Sequence, residues 1–399
     1  MVMLIMRSSI ISASVYILAT FYCCLLPHLS WANQSKPPTS KSKENKHKQI
    51  VGYDYIGQAT FPTGYKFKDT IVGGLSGITY DPKMNCYYAI SDDHSQINPA
   101  RFYSLTIDLT DGHLDQGDIV FSNVTKLIDE HGLWFRTGTL DPEGIAFSAK
   151  GIFYIASEGV ARKGIPPFIN GFEFNGRQKS SLPIPKKYLP TGKTGIRSNL
   201  AFESLTITPD DRYLYSGLEN ALHQDGPAAD LNQESYSRIV QYDLTSGKIA
   251  AEFIYVVEAV AQAPQPSNGS HSNGLVELLA MDNNGTLLAL ERSYSRGKGV
   301  TARLFQVSTQ GAFNVANVSS LLAKKGCLHV NPHWPVAKKE ILNFSDFILS
   351  LDNLEGMTFG PTLPDGRQIL IVVSDNNFSK IQRTQFIALA LHIETTGSN

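Results

Sequence analysis

Charge is scarce and balanced in this chain of 399 residues: 18% of them are Asp, Glu, Lys or Arg, and the formal net charge is -1. Without a basic excess there is no electrostatic case for nucleic acid or a polybasic membrane surface, so any charge effect must be local. Thiols are scarce too. Of the four cysteines, Cys23 and Cys24 fall in an N-terminal apolar stretch, and Cys86 and Cys327 remain as a pair that is either bridged or free. There is no Cys-x-x-Cys pair, no Gly-x-Ser-x-Gly elbow and no Gly-x-x-x-x-Gly-Lys loop, which argues against zinc-thiolate, serine-hydrolase and nucleotide chemistry in turn. Convincing amphipathic helices are missing as well.

The N-terminus is set apart from the rest. Arg7, an apolar run through Leu26 and the small-x-small ending Ser30-Trp31-Ala32 make residues 1–32 a signal peptide, with an uncleaved anchor helix as the alternative. Residues 33–49, dominated by Pro, Ser, Lys and Asn, read as a solvated linker. The folded domain is then 50–395, in a secreted or periplasmic protein with no stable membrane insertion once the signal is removed.

What the chain does have is a repeat. Leu354-Glu355-Gly356-Met357-Thr358-Phe359 has earlier counterparts at Leu75-Ser76-Gly77, Pro142-Glu143-Gly144, Phe202-Glu203-Ser204 and Val276-Glu277-Leu278. Each is followed, after a turn such as Pro209-Asp210-Asp211 or Pro364-Asp365-Gly366, by a second apolar run closing on an acid: Asp92, Glu158, Glu219, Glu291 and Asp375. Two apolar runs joined by Gly/Pro/Asn/Asp turns are a β-hairpin, and two further strand-like runs complete each unit. Four strands per unit predict an all-β propeller of five blades. The long spacing between units keeps six open. The last unit lacks an outer strand, and the unpartnered run Ile50–Ile56 is expected to supply it and close the ring.

In an antiparallel hairpin the start of the first strand lies beside the end of the second. Glu143, Glu203, Glu277 and Glu355 should therefore share one rim with Asp92, Glu158, Glu219, Glu291 and Asp375. Like charges so crowded raise one another's pKa unless a cation intervenes. A hard divalent ion, Ca²⁺ above all, suits such oxygen ligands. Cations from the chain should reach the same rim: Arg101, Arg162 and Lys163, Arg292, Arg296 and Lys298, Lys380 and Arg383, with Arg197 arriving ahead of the third motif. A cup of this kind suits a small, multiply anionic ester. The structural alternative for any one Glu is that it caps backbone N–H groups of the next blade.

Gly-Leu-Ser-Gly-Ile-Thr-Tyr-Asp at 74–81, Ser-Asp-Asp-His and Ala-Arg-Phe-Tyr within 91–103, Leu-Asp-Pro-Glu-Gly-Ile-Ala at 140–146, Phe-Glu-Ser-Leu-Thr at 202–206 and Asn-Leu-Glu-Gly-Met-Thr-Phe at 353–359 together resemble the phytase-like family, described by the "esterase-like activity of phytase". The resemblance covers residues 70 to 392 and implies a secreted or periplasmic β-propeller hydrolase, akin in architecture to calcium-dependent propeller phytases. The matching positions are Asp92, Asp93, Arg101, Glu143, Glu158, Glu203, Glu219, Glu291, Glu355 and Asp375, with Ser76 a departure where the other units carry Glu. The expected roles are metal binding by Asp92, Asp93, Glu158, Glu219, Glu291 and Asp375 and catalysis by Glu143, Glu203, Glu355 and Arg101. Arg101, Arg197, Arg292 and Lys163 are expected to bind substrate. A monomer acting on phosphate esters is the first expectation; a non-catalytic binding propeller with structural calcium, or a metal-dependent lactonase or carboxylic esterase, are the rivals.

Overall fold

The computed structural model describes residues 46–322, 330–347 and 349–397. The expected signal peptide, most of the expected linker and Cys327 lie outside them, while Cys86 carries a free, half-buried thiol. Among the described residues no helix is long and apolar enough to cross a membrane.

Five four-stranded antiparallel sheets make five blades. Blade one is Leu75–Asp81, Cys86–Ser91, Arg101–Ile107 and Ile119–Lys126. Blade two is Pro142–Ser148, Ile152–Ser157, Phe168–Phe172 and Gln178–Ser181. Blade three is Thr206–Ile207, Tyr213–Gly217, Ser235–Asp243 and Lys248–Val257. Blade four is His271–Ala280, Thr286–Ser295, Gly299–Ser308 and Ala337–Asn343. Blade five takes Asn353–Thr362, Gln368–Asp375 and Arg383–Gly397 from the end of the chain and Lys46–Pro62 from its beginning. The first strands of successive blades touch in cyclic order, the fifth returning to the first, so they line the axis.

The closing strand starts at Lys46, ahead of the expected Ile50, and pairs with the last strand from Lys46↔Gly397 to Pro62↔Arg383. Its Ile50 N–H also donates to Gln306 Oε1 of blade four at 3.0 Å. Long pairing of this kind removes two open sheet edges at once.

Apolar packing fills the spaces between blades. Tyr88 and Phe102 of blade one meet Phe153 of blade two with ring centroids 4.7 Å apart in each case, a contact worth more than its buried area alone. Short polar staples add register. The Phe147 N–H donates to Thr79 Oγ1 at 3.1 Å and the Ala280 N–H to Thr206 Oγ1 at 2.8 Å. Blade three also buries a charged knot, in which Arg238 holds Asp225 through two bonds of 2.6 and 3.0 Å and reaches Glu252 at 3.2 Å. That knot pins the loop after Leu222 and contributes nothing to the axis.

Candidate functional site

A register bulge at the head of the innermost strands decides where the repeated acid points. In blade five Leu354 pairs with Ser374 and Gly356 with Val373, leaving Glu355 out of the ladder. In blade one the displaced residue is Ser76, between the pairs Leu75↔Ser91 and Gly77↔Ile90. The shift in blade two falls between Pro142 and Ile145, around Glu143. In blade three Phe202 bridges Leu218 and the regular strand resumes only at Thr206, so Glu203 is released in the same way. A bulge breaks the two-residue alternation and re-aims one side chain. Here it gathers the acids of different blades.

Blade four departs from this pattern, and the motif alignment there must be moved by one residue. Leu275 pairs with Glu291 and Glu277 with Leu290, so the bulged position is Val276. Arg292, not Glu291, then holds the place that Asp92, Glu158, Glu219 and Asp375 hold elsewhere. A slip of one residue sends every side chain of a strand to the opposite face. Glu291 accordingly lies between blades, accepting from Tyr255 Oη at 2.8 Å and Asn273 Nδ2 at 2.9 Å, with Lys338 Nζ beside it. Glu277 stays near the axis but below the rim, taking the Leu205 N–H at 3.2 Å and the Leu278 N–H at 3.0 Å. Burial pushes its carboxyl well above the usual range although these N–H groups pull it down. Around it the strands close in: a Cβ on Gly356 would stand 2.9 Å from Gly77 Cα, and one on Gly144 2.8 Å from the Leu205 nitrogen.

Above this floor, seven carboxyls converge: Asp92, Glu143, Glu158, Glu203, Glu219, Glu355 and Asp375. Oxygens of Glu158, Glu203 and Glu219 lie within 4.8 Å of one another. Glu158 Oε2 is buried with no hydrogen-bond partner, while its other oxygen accepts from the Ala201 N–H. Burial is the largest influence on all seven; neighbouring carboxyls add to it, while Arg292 opposes it at Glu219, Glu355 and Asp375. Asp92 and Glu219 are pushed up to about 7 and Glu158 to about 8. Glu143, Glu203 and Asp375 are raised well above the usual carboxylate range. Arg292 is the guanidinium bonded to this ring, with Nη2 2.9 Å from Glu355 Oε1 and 3.7 Å from Glu219 Oε1. One arginine among so many buried acids leaves negative charge that only protons or a further cation can offset. Clustered hard oxygens, two of them (Asp92 Oδ1 and Glu158 Oε2) buried without a hydrogen-bond partner, fit a divalent ion of the calcium type.

Three other expected residues are employed elsewhere. Asp93 accepts from the N–H groups of Gln96, Ile97 and Asn98 at 2.8, 3.1 and 2.7 Å and from Arg101 Nη1 at 2.8 Å, which shapes the loop after blade one's second strand. Arg101, expected at the substrate, has no exposed surface; its other donors go to Tyr103 Oη at 2.7 Å and the Ile71 carbonyl at 2.8 Å. Both side chains build the rim without facing the cup. Lys163 is exposed and donates to the Gly138 carbonyl at 3.0 Å, tying two rim loops together.

Arg197 does reach the site. It is clamped by the Ala221 carbonyl at 2.9 Å and the Gly226 carbonyl at 2.5 Å, and it lines a small cleft with His94, Asp141, Glu158, Arg162 and Asn199. Glu158 is shared by this cleft and the carboxyl cluster. Across it His94 Nε2 sits 2.9 Å from Asp141 Oδ1, and that bond, offset by burial, raises the imidazole pKa. Asp141 lies just ahead of the repeated Pro142-Glu143-Gly144 motif and has no counterpart in its periodicity, so the repeat alone does not single it out. Ser76, where an acid is missing, donates to the Glu143 carbonyl at 2.9 Å and joins blades one and two.

A family model described as "Esterase-like activity of phytase" matches residues 70–378. An "Uncharacterized secreted protein" of Arthroderma benhamiae is 25% identical over 194 residues, covering 41% of this chain and 36% of that protein, so the match spans about a third of the relative's length. Among solved structures, an endo-arabinase from Bacteroides thetaiotaomicron aligns at 12% identity and TM-score 0.41 over 85% of this chain and 97% of its own. The periplasmic gluconolactonase PpgL of Pseudomonas aeruginosa aligns at 10% identity and TM-score 0.34, over 83% and 90%.

Proposed function

Because this chain belongs to the phytase-like family, we propose that it is a secreted or periplasmic hydrolase of small anionic esters, phosphate esters first, that works with a bound Ca²⁺. The observation carrying this reading is the Glu158, Glu203, Glu219 cluster with its unpartnered Glu158 Oε2, opening onto a cleft flanked by Arg162 and Arg197. Glu158, Glu203 and Glu219 would hold the ion, with Asp92, Glu143, Glu355 and Asp375 around them. When bound, such an ion polarises the ester and lowers the pKa of a coordinated water. Arg197, its guanidinium fixed by two carbonyls, orients the anionic group of the substrate. Glu143 and Asp92 are half-buried and are the carboxyls that substrate reaches and exchanges protons with. Arg292 restrains Glu355 and Glu219 in the absence of substrate.

A second reading, a non-catalytic propeller with a structural ion, is favoured by the depth of the cluster, since Glu158, Glu203 and Glu219 are all buried. The test is hydrolysis of p-nitrophenyl phosphate, phytate and p-nitrophenyl acetate, each with Ca²⁺ and with EDTA. Calcium-dependent phosphate release supports the proposal. Turnover of acetate alone replaces it with a lactonase or carboxylic esterase, and silence on all three with a calcium-raised melting temperature replaces it with the binding propeller.

A further inference from the structure

Among the seven carboxyls of the cup, Glu219 has two cationic claims on it. It belongs to the trio with ion-binding geometry, and it also faces the Arg292 guanidinium, whose Nη2 is 3.7 Å from Glu219 Oε1 and 2.9 Å from Glu355 Oε1. The reach of Glu219 to blade four is built into the backbone. Gly274 pairs with Arg292 across the ladder, and a Cβ on Gly274 would collide with Glu219 Cγ and Oε1, so the carboxylate packs against a residue that has no side chain. Arg292 is itself confined. Its side chain is 14% exposed and its Nε is buried without a hydrogen-bond partner among the described residues. Burial works against its charge, but Glu355, Glu219 and Glu203 outweigh that and raise its pKa above the ordinary arginine value.

Two kinds of positive charge therefore balance the trio when no ion is bound. One is mobile: Glu203 hydrogen-bonds to Glu158 and to Glu219, and bonds between carboxyl groups exist only while a proton is held among them. A divalent ion taking these oxygens sends that proton to solvent. The other is tethered. Arg292 can neither leave nor give up its proton, so its charge still acts on Glu219 when a second cation claims that carboxylate. Calcium affinity at oxygen sites follows the ligand charge count, and one charge a few ångströms away shifts the balance by roughly tenfold or more.

We propose that Arg292 is a resident counter-cation that competes with Ca²⁺ for Glu219 and holds the affinity of the cluster down, keeping the ion exchangeable. The proposal rests on the calcium reading of the Glu158, Glu203, Glu219 cluster. It is tested by isothermal titration of CaCl₂ into the chelator-stripped full-length protein and its Arg292→Met variant, with thermal melts of both in EDTA and in Ca²⁺. Arg292→Met is expected to bind Ca²⁺ about tenfold or more tightly than wild type, while melting lower in EDTA and gaining more from the ion. A residue that only supported the fold would not tighten ion binding when removed. Arg162→Gln, which takes the same charge from the exposed edge of the neighbouring cleft, should change the affinity by less than about threefold because solvent screens it. If wild type binds Ca²⁺ and Arg292→Met binds it no more tightly, the proposal is overturned and the calcium reading stands; an equal gain in Arg162→Gln overturns it in the same way. If neither protein binds Ca²⁺, the calcium reading falls and takes this inference with it. If Arg292→Met does not fold even with Ca²⁺, a crystal structure of the wild type with Ca²⁺ decides: Arg292 moved off a calcium-bound Glu219 supports the proposal, and Arg292 unmoved overturns it.

Discussion

Arg292 stands 2.9 Å from Glu355, in the one blade position where every other blade places an acid. The fivefold repeat is thereby broken on one side of the axis, and three carboxyls gather on the side of blades two and three, Glu219 still within 3.7 Å of Arg292. There Glu158, Glu203 and Glu219 come within 4.8 Å of one another.

Glu203→Gln and Glu291→Gln should separate ion binding from blade locking. Glu203→Gln is expected to abolish the rise in melting temperature produced by Ca²⁺, with the fold intact. Glu291→Gln removes the charge that faces Lys338 and Arg303 between blades and should lower stability while leaving the calcium response unchanged. Isothermal titration and thermal melts of both proteins give the answer, and an equal loss of calcium affinity in the two would contradict the assignment.

The metal-free protein should become less stable as pH rises. Unfolded, Asp92, Glu158 and Glu219 ionise near their ordinary values of 3.8 and 4.5; folded, they hold protons up to about 7 or 8. Between those limits the native state binds more protons than the unfolded chain, so stability falls with rising pH. Melting in EDTA from about pH 5 to about pH 8 should show the decline, and Ca²⁺ should flatten it by compensating the ionised forms. A flat profile in EDTA would refute this.

Arg101→Ala is expected to act on the fold. Deleting one partner of a buried ion pair leaves the other charge stranded, at a cost of about 3–5 kcal/mol, and Asp93 also loses a bond that orders its loop. Arg197→Ala should instead raise KM for an anionic ester with a small effect on melting. Denaturation and steady-state kinetics of the two variants would show opposite profiles; a raised KM with unchanged stability in Arg101→Ala would reverse the roles.

Removing the chain before Tyr53 should destabilise the whole propeller. Those residues pair Lys46 through Gly52 with His392 through Gly397 and bring the Ile50 N–H to Gln306. Loss of a cooperative transition, or a large fall in its midpoint, is expected in calorimetry. A truncated protein that melts like the full chain would show that closure does not depend on this segment.

The fold was legible because its signals are local: turns rich in Gly, Pro, Asn and Asp, alternating apolar runs and a missing outer strand that Ile50–Ile56 could supply. Much of the site was legible from the recurring acids. What escaped was direction. Val276-Glu277 looks like Leu354-Glu355 as a string, and only the pairing of Leu275 with Glu291 shows that the bulge falls on Val276. Arg101 and Arg292 are likewise indistinguishable by position after a hairpin. One is consumed by Asp93, Tyr103 and Ile71 inside its own loop, and the other crosses to Glu355 on the next blade. Such choices depend on partners distant in sequence, which no local pattern records.

The floor beneath the cup has a consequence for traffic. Gly77, Gly144 and Gly356 are drawn so close to the inner strand of the next blade that a methyl group would collide with backbone, and Glu277 is bonded between Leu205 and Leu278, so the inner strands are locked side by side beneath the carboxyls. Under the hydrolase proposal, a spent anion that lingers beside Arg197 bars the next molecule from the cup.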